Sequence, residues 1–255
     1  MKVVILNFSG VYNYEQFSQS PYISHIDCTP LMGTDCYCDE DSANKLRQLL
    51  APYPVKALHF IDSGDYHYVT KFWIERIHHP FSLVVFDHHP DMQPPVWPGV
   101  LSCGDWIADV LHTNPMLKHV VCVGTSDQLI KQLPPALRSR VIFYSQDMID
   151  HHQAWPSIAG RVIHEPVYIS IDKDVLQRSA APTDWDNGNM TLQKMEAVLR
   201  IIIHHEQIVG IDITGECKAN LDLYEEEKEA DVNNKTNSEL MNLLIQLENN
   251  AAEQL

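Results

Sequence analysis

The sequence predicts an α/β protein built as a three-layer, doubly wound, mainly parallel sheet. Short apolar runs rich in Val, Ile and Phe recur along the chain, and segments of helical pattern lie between them. Parallel strands buried on both faces give such runs, and each needs a crossover helix to reach the next. Three of the runs end in carboxylates and histidines, as expected where an open α/β sheet builds a site beyond the carboxyl ends of its strands.

The strands are expected at Val3 to Phe8, Val55 to Ile61, Ser82 to Phe86, Val120 to Val123, Val141 to Tyr144, Val167 to Ile171 and Ile208 to Ile213. Helices are expected near Ser42 to Leu50, Tyr68 to Ile77, Gly104 to Leu111, Ser126 to Gln132 and Thr191 to His204. Residues 1–218 read as one catalytic α/β domain and 219–255 as an appendage. In that appendage Tyr224 to Asn234 reads as a charged linker carrying Glu225, Glu226, Glu227, Glu229 and Asp231. Ser238 to Leu247 then shows Leu240, Met241, Leu243, Leu244 and Leu247 at amphipathic-helix spacing, which suits core packing or a subunit contact.

A chain of 255 residues with 45% hydrophobic content can bury a sizeable core. Its net charge of -16 excludes sequence-independent nucleic-acid binding, which needs a basic surface to displace counterions. The opening Met1 to Phe8 has too short an apolar run for a signal peptide and reads as a strand. No stretch approaches the roughly 18 apolar residues that span a bilayer, so a soluble, cytoplasmic protein without membrane or nucleic-acid partners is expected. The six cysteines are scattered, which suits reduced thiols. Cys36-Tyr37-Cys38 is a soft-metal pair that lacks a second pair close in sequence.

Asp87, His89 and Asp91 recur at every second position just past a strand, so on an extended chain their side chains share one side and His88 points away. Asp172 and Asp174 repeat the spacing at the end of another strand. Aspartates after strands often form Asx turns or helix caps, the reading that suits Asp62 or Asp212 alone. Two spaced clusters together point elsewhere, because desolvating several neighbouring carboxylates is costly without cations. Five hard or borderline ligands suit a pair of Mn²⁺-type ions better than one zinc.

These residues resemble the arginase, agmatinase and formimidoylglutamase family, the ureohydrolases, and more closely bacterial arginase-like proteins of unassigned substrate. The family's Asp-x-His-x-Asp and Ser-x-Asp-x-Asp motifs are matched by Asp87-His88-His89-Pro90-Asp91 and Ser170-Ile171-Asp172-Lys173-Asp174. Its Gly-Gly-Asp-His motif looks like Ser63-Gly64-Asp65-Tyr66-His67 with one residue inserted, which leaves the sixth ligand between His67, preferred because the family uses a histidine there, and Asp65. Gly210 to Glu216 resembles the family's late strand and acidic residue.

The resemblance implies an arginase-like fold, two Mn²⁺ per subunit and hydrolysis of a C–N bond in a guanidinium or amidine-like group. Arginine, agmatine, a related small molecule or a peptidyl arginine is the implied substrate, and homo-oligomers are implied without a number. One ion would be held by His67, Asp87, Asp91 and Asp172, the other by His89, Asp87, Asp172 and Asp174. Asp91 would also accept a hydrogen bond from the attacking hydroxide. The chain departs from the family in two places. Cys103 stands where ureohydrolases carry a proton-shuttling histidine, with Asp105 nearby, and serves either proton transfer or packing. Where the family has a guanidinium-contacting carboxylate, Asp186 or Asn187 falls nearest, with Trp185 beside them and Glu216 as a second acid or base. Two other readings compete: a manganese phosphoesterase or pyrophosphatase of the Asp-His-His type, whose N-terminal metal motif is missing here, and a metal-binding protein without turnover.

Overall fold

The computed structural model describes residues 1–151, 163–218 and 223–252, with the side chains of 223–227 and 251–252 left aside. Eight strands form one sheet in the order β2-β1-β4-β10-β9-β5-β7-β8. They are β1 (Val3–Asn7), β2 (Ile23–Asp27), β4 (Leu58–Ile61), β5 (Phe81–Phe86), β7 (Leu117–Val123), β8 (Ile142–Tyr144), β9 (Val167–Asp172) and β10 (Ile208–Thr214). Every pairing in it is parallel. A separate antiparallel ladder joins β3 (Tyr37–Cys38) to β6 (Leu101–Ser102).

Alternation along the strands feeds two cores. Val3, Ile5, Val84 and Phe86 pack on one face with Val198, Leu199 and Ile202 of the helix Leu192–His205. Val4, Leu6, Leu83 and Val85 pack on the other with Phe72, Trp73, Trp106 and Val110. The helices on that side are Glu40–Leu50, Val69–Ile74 and Trp106–Thr113. Burial on both faces is why the strands read as unbroken apolar runs. The exception is β2, unmarked in sequence because it is an edge strand with only Ile26 buried.

The C-terminal segment corrects an expectation. Leu223–Ala252 is a single helix, so the charged stretch expected as a linker is helical from Leu223 onward, and 219–222 lie outside the described residues. Glu229 pairs with Arg178 and Asp231 is exposed, while Leu240 and Leu244 are fully buried against the helix-covered face of the sheet. Glu229 and Asp231 thus lie on a continuous helix rather than at a break in structure. Among the described residues no helix is long and apolar enough to cross a membrane.

Candidate metal centre

The register of β5 with β9 builds the site. Phe86 pairs with Ile171, so the next residues, Asp87 and Asp172, leave adjacent strand ends side by side. The third contribution comes from the turn after β4. Asp62, at φ +48°, accepts bonds from the Phe8, Ser9 and Ser63 amides at 2.8 Å and from Ser9 Oγ at 2.7 Å. That clamp fixes the short 3₁₀ turn Gly64–Tyr66, and His67 follows with its ring turned to the strand ends. Gly64 makes the approach feasible, since a Cβ there would lie 2.9 Å from Asp172 Oδ2.

Two overlapping groups result. His67, Asp87 and Asp172 form one, and Asp87, His89 and Asp174 the other, each with ligand atoms within 4.8 Å of one another. His67 Nδ1 lies 3.3 Å from Asp87 Oδ2, 3.0 Å from Asp91 Oδ2 and 3.6 Å from Asp172 Oδ2. His89 Nδ1 lies 2.7 Å from Asp174 Oδ2 and 3.8 Å from Asp87 Oδ1. His67, and not Asp65, therefore joins the cluster.

The convergence of Asp87, His89 and Asp91 corrects the extended-chain expectation. The segment bends at His88 and His89, the His89 amide bonds Asp87 Oδ1 at 2.5 Å, and Asp91 reaches inward from φ +48°. His88 gives its backbone amide to Asp174 Oδ1 at 3.0 Å, and its ring belongs to neither group.

The surroundings fix these groups. Ser170 Oγ donates to Asp212 Oδ1 at 2.6 Å and so accepts from His67 Nε2 at 2.9 Å, which leaves Nδ1 facing the carboxylates. Trp106 Nε1 donates to Asp91 Oδ2 at 2.7 Å. Burial first, then Asp91, Asp174 and Asp172, hold the Asp87 carboxyl well above its ordinary range, and burial with Asp174 raises Asp172 to about 7. Burial opposes charge on His67, but Asp91, Asp172 and Asp212 raise it to about 9. The buried Nδ1 of His67 has no well-formed hydrogen bond despite its three carboxylate neighbours. An orphaned imidazole nitrogen among crowded carboxylates fits divalent cations, which would satisfy the nitrogen and offset the repulsion.

The cluster floors a cavity of about 30 Å³, with Gly64, Cys103, Gly104 and Trp185 in its walls. A larger cavity of 650 Å³, lined by Arg47, Phe72, Pro94 and Leu101 among others, holds none of the cluster residues, and the chemistry assigns the site to the smaller one. Cys103 is where proton transfer would need it, and its bond with Cys36, burial and Asp91 keep the thiol protonated. Trp185 overhangs the cavity, its Nε1 held by Asp65 Oδ1 at 2.9 Å and its ring edge-on to His89 at 5.7 Å.

Two expected participants lie elsewhere. Asp186 is exposed and absent from the cavity wall, because the loop turns its neighbour Trp185 inward. Asn187 bonds the Leu176 and Ala181 carbonyls and shapes that loop. Glu216 is fully buried outside the cavity, accepting from Lys173 Nζ at 2.5 Å and Asn237 Nδ2 at 2.8 Å. Its carboxylate is spent on an internal ion pair. Ser170 and Gly64 stood within the motifs without a role of their own, although Ser170 lies two positions before Asp172 on the same strand face, and Trp106 carried no signal.

Fold and cluster together define an α/β protein with carboxylate and imidazole groups gathered at the carboxyl ends of neighbouring strands. Residues 59–237 match the arginase family, and the chain belongs to it. A relative from Thermotoga maritima, an uncharacterized protein, is 31% identical over 212 residues, covering 83% of this chain and 78% of that one. Among solved structures, proclavaminate amidino hydrolase from Streptomyces clavuligerus aligns with a TM-score of 0.67 at 15% identity, covering 98% of this chain and 91% of that one. A triple mutant of a T. brucei arginase-like protein bound with Mn²⁺ aligns at 0.59 and 17% identity, covering 92% and 88%. Family membership displaces the phosphoesterase reading.

Proposed function

We propose that this protein is a binuclear manganese hydrolase that cleaves a C–N bond of a guanidinium or amidine-like group. The observation that carries the reading is the convergence of His67, Asp87 and Asp172 with Asp87, His89 and Asp174 in two groups that share Asp87, and of Asp91 on His67 at 3.0 Å. Membership of the arginase family and the amidino hydrolase fold support the reaction class, and the Mn²⁺-bound relative supports the metal.

In this reading His67, Asp87, Asp91 and Asp172 would hold one ion, and His89, Asp87, Asp172 and Asp174 would hold the other. Bound there, the pair supplies Lewis acidity and a water-derived nucleophile at neutral pH. Asp91, steadied by the Trp106 indole, would accept a hydrogen bond from the attacking water and aim it. Cys103, at the cavity wall, is placed to pass a proton to the departing amine once the bound cations lower its pKa against the upward pull of burial and Cys36. Trp185 borders the cavity and offers its ring to a planar cation. Asp186 and Glu216 take no catalytic part. A cytoplasmic location and self-association belong to the same reading.

Incubation of the Mn²⁺-loaded protein with arginine, agmatine and arginine-containing peptides should release urea from at least one of them; no release from any would overturn the reading. One observation favours a second reading, binding without turnover. Every carboxylate in the cavity wall is already among the proposed metal ligands, so none is left for the substrate. Tight ligand binding by the metal-loaded protein without product would support it.

A further inference from the structure

The pair Cys36 and Cys38 does not act together. Cys38 is buried in the core, whereas Cys36, just before β3, sits at φ +55°, and this break in the extended chain removes the shared face that residues two apart on a strand would have and turns its thiol to Asp65. The β3–β6 register, Tyr37 to Ser102 and Cys38 to Leu101, brings Cys36 opposite Cys103 one step further along, where the Cys103 amide bonds the Cys36 carbonyl at 3.0 Å. Asp65, the residue left out of the manganese-type cluster, completes a triangle with them. Cys36 Sγ lies 2.9 Å from Asp65 Oδ1, and the three ligand atoms lie within 4.8 Å of one another.

We infer that Cys36, Asp65 and Cys103 form a separate binding site for a soft or borderline divalent cation of the Zn²⁺ or Cd²⁺ type. Three atoms so spaced share a centre no more than about 2.8 Å from any of them, against zinc bond lengths of about 2.3 Å to sulfur and 2.0–2.2 Å to oxygen. Side-chain shifts of roughly half an ångström close the shell, with water as the fourth ligand. Two sulfurs make the site chemically unlike its neighbour, whose oxygen and imidazole donors suit Mn²⁺. Both cysteines are free thiols. The charge balances: the cation enters, two metal–sulfur bonds form, two thiol protons leave to solvent, and the Asp65 charge stays countered by Lys218.

The ion would sit at the rim of the hydrolytic cavity. Cys103 lines that cavity, and Asp65 holds Trp185 over it. Ligation would convert Cys103 to a committed thiolate, so under the function proposed above a soft cation inhibits. The site itself does not rest on that function.

Anaerobic titration of Mn²⁺-preloaded protein with Cd²⁺ tests the site. The expected result is an ultraviolet cadmium–thiolate charge-transfer band that saturates with one equivalent, releases two protons and is reversed by Zn²⁺ competition. Cys36→Ser abolishes the band while Mn²⁺ binding and circular dichroism stay unchanged, and Cys217→Ser leaves it intact. Asp65→Asn weakens Cd²⁺ binding by more than the roughly 10–100-fold that loss of an outer contact costs. Absence of the band, or a band indifferent to Cys36→Ser, overturns the inference. Urea release with Mn²⁺ alone is read separately, so either reading can fail without the other.

Discussion

Replacing Lys173 with Met probes how the C-terminal helix supports the metal-type cluster. Lys173 stands between Asp172 and Asp174, yet its side chain runs the other way and is fully buried. Its three N–H donors go to Glu216 Oε1 at 2.5 Å, Asn233 Oδ1 at 2.9 Å and Asn237 Oδ1 at 3.0 Å, the last two on the helix Leu223–Ala252. Methionine fills a similar volume and strands the Glu216 charge, whose second oxygen already lacks a partner and whose neighbour is another buried carboxyl, Glu15. Removing one partner of a buried ion pair costs about 3–5 kcal/mol, which for a domain of this size lowers Tm by on the order of 10 °C. Urea denaturation of Lys173→Met should show that loss. The double variant Lys173→Met with Glu216→Gln should recover most of it, because an unpaired charge rather than lost packing sets the cost. A single variant within about 1 kcal/mol of the parent, or a double variant no better than the single, refutes the reasoning.

Further outcomes follow from the same geometry. Burial and then Glu216 raise Glu15 to about 10 from an ordinary 4.5, so the folded state keeps a proton that the unfolded chain has lost. Stability from this group is full below pH 4.5 and declines as pH rises toward 10, by on the order of 1 kcal/mol per pH unit. Glu15→Gln, neutral throughout and able to keep the Asn237 bond, should match the parent at pH 4 and exceed its Tm at pH 8; parallel Tm–pH curves would contradict this. Gly64→Ala sets a methyl 2.9 Å from Asp172 Oδ2 and 3.0 Å from Trp185, so calorimetry should show Mn²⁺ affinity reduced about tenfold or more. Mn²⁺ at a hundred times its Kd should add about 2.7 kcal/mol of stability, and Asp87→Asn, which removes the shared carboxylate, should abolish the thermal shift.

Five of the cluster residues were legible in sequence because each motif lies within five consecutive residues at a strand end, where local spacing dictates proximity. The central strands were legible for a related reason: with both faces buried, their side chains are uniformly apolar. β2 was not, since an edge strand with one buried residue leaves no such run. The choice of His67 over Asp65 was open because a one-residue insertion cannot be resolved without the turn that the buried Asp62 clamps.

The sequence by itself determined the parallel α/β class and the aspartate and histidine motifs at the strand ends, both properties of neighbouring residues and of period. Only the tertiary structure decided what each remaining polar group meets. It gave Glu216 to Lys173, 43 positions away, turned Trp185 rather than Asp186 toward the cavity, and matched Cys36 with Cys103 instead of Cys38. Those partners are set by strand register and by the helix that covers the sheet. A carboxylate or thiol carries no local mark of whether its eventual neighbour is a cation, a lysine or another thiol.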